Sequence, residues 1–314
     1  MTDIQKKTND LIIELTPAVC ESINKFSENS FKTRGGRMGS GMGMLLEALW
    51  GYFINQELDK VADKEEKAEI AWLQDNEFND FACVLRNKQW NPQEREGELF
   101  RIEAKSMNLS ADESKAHFDE LSKNLNHHDL LLVLVWRWEE IDGQRVYPRI
   151  IDNYVGRVSD IATLRDALHL ARGGSFVDRG SCPDGCVPAN CSHDSEPLNA
   201  SGKRERLSGP ETCRPSANVS FAANFGGLVR MLKTNSIAAR TIFRKIRKEN
   251  NVANDYISFM HRNFPSEERN QYLVAEWKLV ANKLGIDISD GDMSSIMDQI
   301  RAHDDYQDVI RNFE

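Results

Sequence analysis

Apolar residues recur at helical spacing in the first part of the chain. A predicted helix over residues 3–28 places six apolar side chains on one face, namely Leu11, Ile12, Leu15, Val19, Ile23 and Phe26. Residues 31–43 are rich in glycine and basic residues, which predicts a mobile loop. A second helix is predicted from Met44 to about Ala68.

Compact apolar runs predict strands over residues 81–86, 99–105 and 130–136, and over YPRIID, residues 147–152. Ser110 and Glu113 match a capping box, so a helix to about Asn124 is expected. Another helix is predicted over residues 159–172, and mainly helices follow from Phe221. The alternation predicts an α/β fold with a mixed central sheet, flanking helices and a helical C-terminal region.

Composition is that of a globular protein. The chain has 314 residues, of which 40% are hydrophobic and 28% charged. The longest apolar run, 130–136, is too short to cross a bilayer, and the N-terminus lacks a secretory signal pattern. We therefore expect a cytoplasmic protein without a membrane partner. Its six cysteines are then expected to be thiols or metal ligands, with Cys20 and Cys83 in the core.

Charge is unevenly distributed. The net charge is −9, yet residues 203–248 contain eleven Lys/Arg and two Glu, a local net of +9. The rest of the chain must then carry −18. This asymmetry indicates an anionic partner for the basic segment.

An E-x-K pattern occurs four times, but only Glu103 and Lys105 lie in a strand-like run. Strand side chains alternate, so both charges are expected on one exposed face, opposite an apolar face. Asp80 opens the preceding strand, with 22 residues between it and Glu103. A hairpin would bring the two carboxylates together beside the lysine, a suitable cage for Mg²⁺. The alternative is a surface ion pair.

D-x22-E-x-K across two strands, followed by a capped helix and an apolar strand, resembles the PD-(D/E)xK nucleases, especially type II restriction endonucleases. The resemblance covers about residues 40–138 and implies a central sheet of the restriction-endonuclease type. It also implies that Asp80 and Glu103 bind the metal and that Lys105 is catalytic. Asn79 stands where the family usually has proline. Glu47 fits the family's helix glutamate near the metal, or else an exposed helix edge.

A cysteine-rich loop follows the predicted core. Gly and Pro residues separate its soft ligands, and little apolar content is available to fold it. We predict one structural Zn²⁺ held by four of five residues. The candidates are Cys182, Cys186, Cys191, Cys213 and His193. The alternative is a set of unliganded thiols.

Basic side chains suited to phosphates and guanine edges lie in three places. The first is the glycine-rich loop, the second adjoins the cysteine-rich loop, and the third is a predicted amphipathic helix over 237–251. The residues are Arg34 and Arg37, then Lys203, Arg204 and Arg206, then Arg240, Arg244 and Arg247. The alternative is a solvated charged face.

These patterns predict three regions: a catalytic core (1–172), a zinc-binding recognition loop (173–220) and a helical region (221–314). The expected function is that of a Mg²⁺-dependent type II restriction endonuclease. A palindromic site in duplex DNA would suit a homodimer, and the family resemblance implies that cleavage leaves 5′-phosphate ends. A structure-specific repair or recombination nuclease, or a non-catalytic zinc-containing DNA-binding regulator, stays open as an alternative.

Overall fold

The protein is described by a computed structural model in two compact units, Met1–Ala116 with Ser122–Ala162, and His117–Leu121 with Thr163–Glu314. The described residues are 2–34, 40–61, 67–73, 79–109, 116, 118, 120, 122–171, 174–176, 196–198, 225, 227–228, 251–264, 281–287, 299–300 and 302–305.

Within the described residues, the first unit begins with two helices, which are followed by five strands and a further helix. In chain order they are α1 (Asp3–Ser30), α2 (Ser40–Val61), β1 (Ala68–Trp72), β2 (Phe81–Leu85), β3 (Glu98–Asn108), a 3-10 turn (Ser122–Asn124), β4 (Leu130–Glu140), β5 (Val146–Arg157) and α3 (Val158–Ala171), whose last part belongs to the second unit. The second unit also contains β6 (Ser175–Phe176), β7 (Pro197–Leu198) and α4 (Asn251–Asn263). The predicted α/β class is confirmed.

One mixed sheet organises the first unit, with the strand order β1-β2-β3-β4-β5. Only β3 and β4 are parallel; the other neighbours are antiparallel. β2 pairs with β3 no further than Phe81 opposite Ile102, whereas β4 pairs with β3 from Ile102 to Asn108. Residues 103–108 of β3 therefore extend past the end of β2.

The core of the first unit lies between this sheet and the helices α1 and α2. Phe100, Ile102 and Ala104 belong to one buried cluster with apolar residues of both helices. Every residue from Leu130 to Trp136 is buried, which confirms the prediction of a fully buried strand. Cys20 and Cys83 are buried free thiols, as predicted.

α1 confirms the first predicted helix and is fixed at both ends. A capping box between Thr2 and Gln5 begins it. Near its other end, the Asn24 side chain bonds the backbone of Ile150 twice, accepting from its N–H at 2.7 Å and donating to its carbonyl at 2.8 Å. These partners are 126 residues apart in the sequence. α1 is therefore held against β5.

α2 and β1 correct the second predicted helix. α2 begins at Ser40, inside the stretch predicted to be a mobile loop, and ends at Val61. Ala68, predicted to end the helix, begins β1 instead. The charged residues before β1 favoured a longer helix on local propensity, but tertiary bonds decide the outcome. Asn55 of α2 accepts from the Ile70 N–H at 2.7 Å and donates to the Ile70 carbonyl at 2.9 Å.

Four charged side chains, which we call the paired cluster, join the start of β3 to the start of β4: Arg95, Glu98, Arg101 and Asp129. Arg95 donates to both Asp129 oxygens at 2.7 and 2.8 Å. Arg101 donates to Asp129 through its backbone N–H at 2.8 Å and to Glu98 through its guanidinium at 2.8 Å. Two cations meet two carboxylates, so the charges in this cluster balance.

A buried arginine, Arg165 of α3, contacts several of the described residues of the second unit. The Arg165 guanidinium lies over the Phe118 and Phe225 rings, at 5.1 and 4.3 Å from their centroids. It also donates to the carbonyls of Phe118 and Glu120 at 3.1 and 2.7 Å. It is also ion-paired with the neighbouring Asp166, whose Oδ1 atom lies 2.9 Å from Arg165 Nε and 2.8 Å from Nη2. These contacts hold α3 against Phe118 and Phe225.

The predicted capping box of Ser110 and Glu113 lies outside the described residues. So does most of the predicted cysteine-rich loop. Of the helices within the described ranges, none is both long and apolar enough to cross a bilayer.

Candidate active site

The predicted hairpin brings Asp80 next to Glu103. Asp80 immediately precedes β2, and its backbone N–H donates to the Ile102 carbonyl at 3.1 Å. Continuing the antiparallel register by one residue places Asp80 opposite Glu103. The Asp80 Oδ2 atom accepts the Ala104 N–H at 2.7 Å. The sequence spacing thus corresponds to a real juxtaposition across two strands.

The edge of β3 beyond β2 explains how the carboxylates are held. Alternate residues of a strand direct their N–H groups to the same edge, so Ala104 and Ser106 both point theirs to the side that β2 has left. The Ala104 N–H donates to Asp80 at 2.7 Å, and the Ser106 N–H and hydroxyl face the Glu47 carboxylate and lower its pKa. Two acidic side chains therefore replace a strand partner along this edge.

Glu103 and Lys105 form an ion pair on β3 through Glu103 Oε1 and Lys105 Nζ. The prediction of a shared exposed face was wrong for Glu103, whose side chain is only 3% exposed, against 24% for Lys105. β3 is an interior strand, and burial on both of its faces continues through Ala104. The pair therefore lies at the margin of the core instead of on an open sheet face.

Glu47 belongs to α2 and joins Asp80, Glu103 and Lys105 in what we call the acidic cluster. The pKa of Glu47 is raised to about 7, chiefly by burial and also by the nearby Asp80 charge. Lys105 and the two hydrogen bonds from Ser106 lower it. Glu47 is thus half-buried within the cluster and is not the exposed edge of an amphipathic helix.

Burial is also the largest cause acting on the pKa values of Glu103, Asp80 and Lys105. Burial raises the pKa of Glu103 to about 8, with Lys105 opposing the shift and Asp80 adding to it. Burial also raises the pKa of Asp80, again opposed by Lys105. Burial lowers the pKa of Lys105, but the carboxylates of Glu103, Asp80 and Glu47 outweigh it, and the value lies above the ordinary one. Burial is thus the largest cause for all three acids, and neighbouring carboxylates add to it only for Glu47 and Glu103.

The acidic cluster has three carboxylates for one ammonium group. This excess of hard oxygen donors suits Mg²⁺, which prefers carboxylate and water ligands. Glu103 Oε2 is buried and accepts no hydrogen bond from the described residues, so this oxygen is available to a cation. The donor set fits Mg²⁺ in kind. Within the described ranges, however, no three His, Cys, Asp or Glu side chains are already arranged as a metal-binding group.

Two residues of the site were missed by sequence reasoning. Ser106 bonds Glu47, and Gly43 of α2 lies directly against Ser106: a Cβ added at Gly43 would be 2.2 Å from the Ser106 Oγ atom. The only sequence signal for Ser106 is its position one residue past the E-x-K pattern. Gly43 was interpreted as part of a flexible loop, whereas its role is to allow close packing.

The other predicted site residues are mostly not described. Arg34 is exposed, at the end of the segment that follows α1. The predicted zinc ligands Cys182, Cys186, Cys191, Cys213 and His193 lie outside the described residues. The same holds for Arg37, Lys203, Arg204, Arg206, Arg240, Arg244 and Arg247.

Comparison with known proteins adds no relative to this picture. No protein-family model matches the chain, and no curated protein matches it either.

Proposed function

We propose that the protein is a Mg²⁺-dependent endonuclease of the type II restriction kind that cleaves duplex DNA. The observation that carries the proposal is the meeting of Glu47, Asp80, Glu103 and Lys105 where β3 extends past β2. An antiparallel hairpin supplies Asp80 and the E-x-K residues, and the next strand in the sheet runs parallel to β3. This arrangement supports the nuclease resemblance of the sequence.

Asp80 and Glu103 would hold the metal, and Glu47 would assist from α2. When bound, Mg²⁺ would stabilise negative charge developing on the phosphodiester. Lys105 contacts Glu103 and is the more exposed of the two, so it can reach a water or a phosphate oxygen at the cluster. Its role is to orient the attacking water and to stabilise negative charge on the phosphate.

The reaction is a hydrolysis. The water oxygen forms a bond to phosphorus, and the bond from phosphorus to the 3′ oxygen breaks. One proton of the water passes to the solvent and the leaving 3′ oxygen acquires one, which gives 5′-phosphate and 3′-hydroxyl ends. The margin of the core is a suitable location, because buried carboxylates are held in place while Lys105 stays accessible.

DNA recognition is assigned to the basic segment 203–248 and the Arg34–Arg37 stretch. The segment's local net charge of +9 within a protein of net −9 supports this assignment. One structural Zn²⁺ would hold the neighbouring cysteine-rich loop in a fixed conformation. A homodimer would place one acidic cluster on each strand of a palindromic site.

Cleavage of plasmid and phage DNA by the full chain, with and without Mg²⁺, tests the proposal. Lys105→Ala and Glu103→Gln should abolish cleavage. Their matched controls are Lys60→Ala and Glu57→Gln, which remove an exposed Lys–Glu pair on α2. Full cleavage by Lys105→Ala would overturn the assignment. Discrete phage fragments with one end sequence would support the restriction type, and cutting confined to branched or damaged DNA would support a repair nuclease.

A further inference from the structure

We propose that Ser106 is a positioning residue that fixes the Glu47 carboxylate at the metal site, and that Gly43 is required because it lets α2 approach Ser106. The inference deepens the proposed nuclease function and rests on it. It concerns a contact between a helix and a strand edge that the E-x-K pattern does not include.

The contact is specific because Ser106 offers Glu47 two donors. Its N–H lies on the free edge of β3, and Gly43, about one helical turn before Glu47 on α2, lies directly against its side chain. Both the Ser106 N–H and its hydroxyl lower the pKa of Glu47, so both donors face that carboxylate. A carboxylate held by two donors has a defined direction, which a metal ligand needs.

The same edge holds Asp80. Its Oδ2 atom accepts the Ala104 N–H, two residues before Ser106 on β3. Consecutive outward N–H groups of one strand thus hold a carboxylate from the β2 side and another from α2. The spacing between the two acids is therefore set by the strand repeat, independently of the flexible ends of their side chains.

Gly43 allows α2 to lie close to Ser106. It is buried, and its Cβ substituent would be 2.2 Å from Ser106 Oγ but 3.5 Å from Ser106 Cβ. The first distance is a severe clash, whereas the second is ordinary contact. Gly41 lies on the same helix two residues earlier, and a Cβ added there meets nothing within 4 Å. The two glycines thus provide a matched pair of test positions.

Four variants of the full chain test the proposal: Ser106→Ala, Gly43→Ala, Gly41→Ala and the double variant Gly43→Ala/Ser106→Ala. The readouts are Mn²⁺ affinity by calorimetric titration, kcat and KM for plasmid cleavage, and the melting temperature. Mn²⁺ stands in for Mg²⁺ because it accepts the same oxygen ligands. The titration reports on the site without requiring turnover.

Ser106→Ala should weaken Mn²⁺ binding by about tenfold or more and lower kcat in proportion, with KM for DNA and the melting temperature unchanged. Gly43→Ala should weaken Mn²⁺ binding at least as much, while Gly41→Ala should match the wild type. The double variant should be no worse than Gly43→Ala, because removing the hydroxyl relieves the clash. Such non-additivity would show that the two residues act through one contact.

Wild-type Mn²⁺ affinity and kcat in Ser106→Ala, with a wild type that binds and cleaves, would overturn this inference and leave the proposed function standing. A fall in melting temperature with unchanged metal affinity would also overturn it, since Ser106 would then be purely structural. A wild type that neither binds Mn²⁺ nor cleaves DNA would overturn the proposed function and this inference together. If Gly43→Ala does not fold, Ser106→Ala alone decides.

Discussion

β3 contributes to two groups of charged residues, both with buried carboxylates, that differ in charge balance. The paired cluster at its start has two arginines and two carboxylates, and it links β3 to β4 through hydrogen bonds of 2.7 to 2.8 Å. The acidic cluster further along has three carboxylates and one lysine, and one Glu103 oxygen accepts no bond from the described residues. The first is satisfied by the protein itself, whereas the second fits an additional cation.

The difference teaches how to separate structural from functional charges on one strand. Burial is common to both, so burial alone decides nothing. The two clusters differ in net charge and in whether each buried carboxylate oxygen accepts a hydrogen bond. An excess of acids with raised pKa values is costly to the fold, and such a cost is typical of a binding or catalytic site.

Removing a member of the paired cluster should have the largest effect on stability. Asp129→Ala takes away the acceptor of the buried Arg101 N–H and one of the two carboxylates that pair with Arg95, which keeps its contact with Glu98. The free energy of unfolding should fall by about 3–5 kcal/mol in urea titrations. Glu103→Gln replaces a buried carboxyl group that is costly to ionise, and its unfolding free energy should be equal to or above that of the wild type. The reverse order of the two variants would contradict the comparison.

The acidic cluster should make stability depend on pH in the opposite direction from ordinary ion-paired carboxylates. Burial raises the pKa of Glu103 from 4.5 to about 8 in the folded chain. The folded state therefore holds this proton more tightly than the unfolded state. The associated stability is fully present below about pH 4.5 and is lost as pH rises towards 8.

Urea titrations from pH 5 to 8 without added divalent metal should show this loss, on the order of a few kcal/mol. Glu103→Gln, which cannot ionise, should flatten the profile, and Mg²⁺ should do the same in the wild type. A wild-type profile that coincides with that of Glu103→Gln would show that ionisation of Glu103 does not destabilise the folded protein.

An exposed pair supplies the smallest effect. Lys60 and Glu57 are joined at 2.6 Å on the surface of α2, and the lysine side chain is 66% exposed. Lys60→Ala should change the unfolding free energy by less than about 1 kcal/mol, because solvent already screens the pair. A loss as large as that of Asp129→Ala would mean that burial is not what distinguishes these pairs.

Strands were predicted correctly where an apolar run had the length of a strand or where polar and apolar residues alternated. Leu130–Trp136 is apolar throughout and forms a buried strand, and the spacing between Asp80 and Glu103 matches their register. β1 was missed because charged residues precede it, and its pairing with β2 outweighs their helical propensity.

The supporting contacts of the site were beyond sequence reasoning. Ser106 lies next to Glu47 because α2 approaches β3 at Gly43. No local sequence pattern indicates this tertiary contact. The paired cluster was missed for a related reason. Arginine and aspartate usually lie on the surface. The burial of Arg101 and Asp129 depends on the pairing of β3 with β4.

The hydrogen bonds between Asn24 and Ile150 can form only late in the synthesis of the chain. These residues are 126 positions apart, so α1 is translated well before the strand that it packs against. At about 5–20 residues per second, the delay is roughly 6 to 25 seconds. During this interval the apolar face of the nascent helix, with Ile12, Val19 and Ile23, has no sheet to cover it. A newly made chain is thus exposed to premature association, and chaperone binding to this first helix would shield it until β5 is complete.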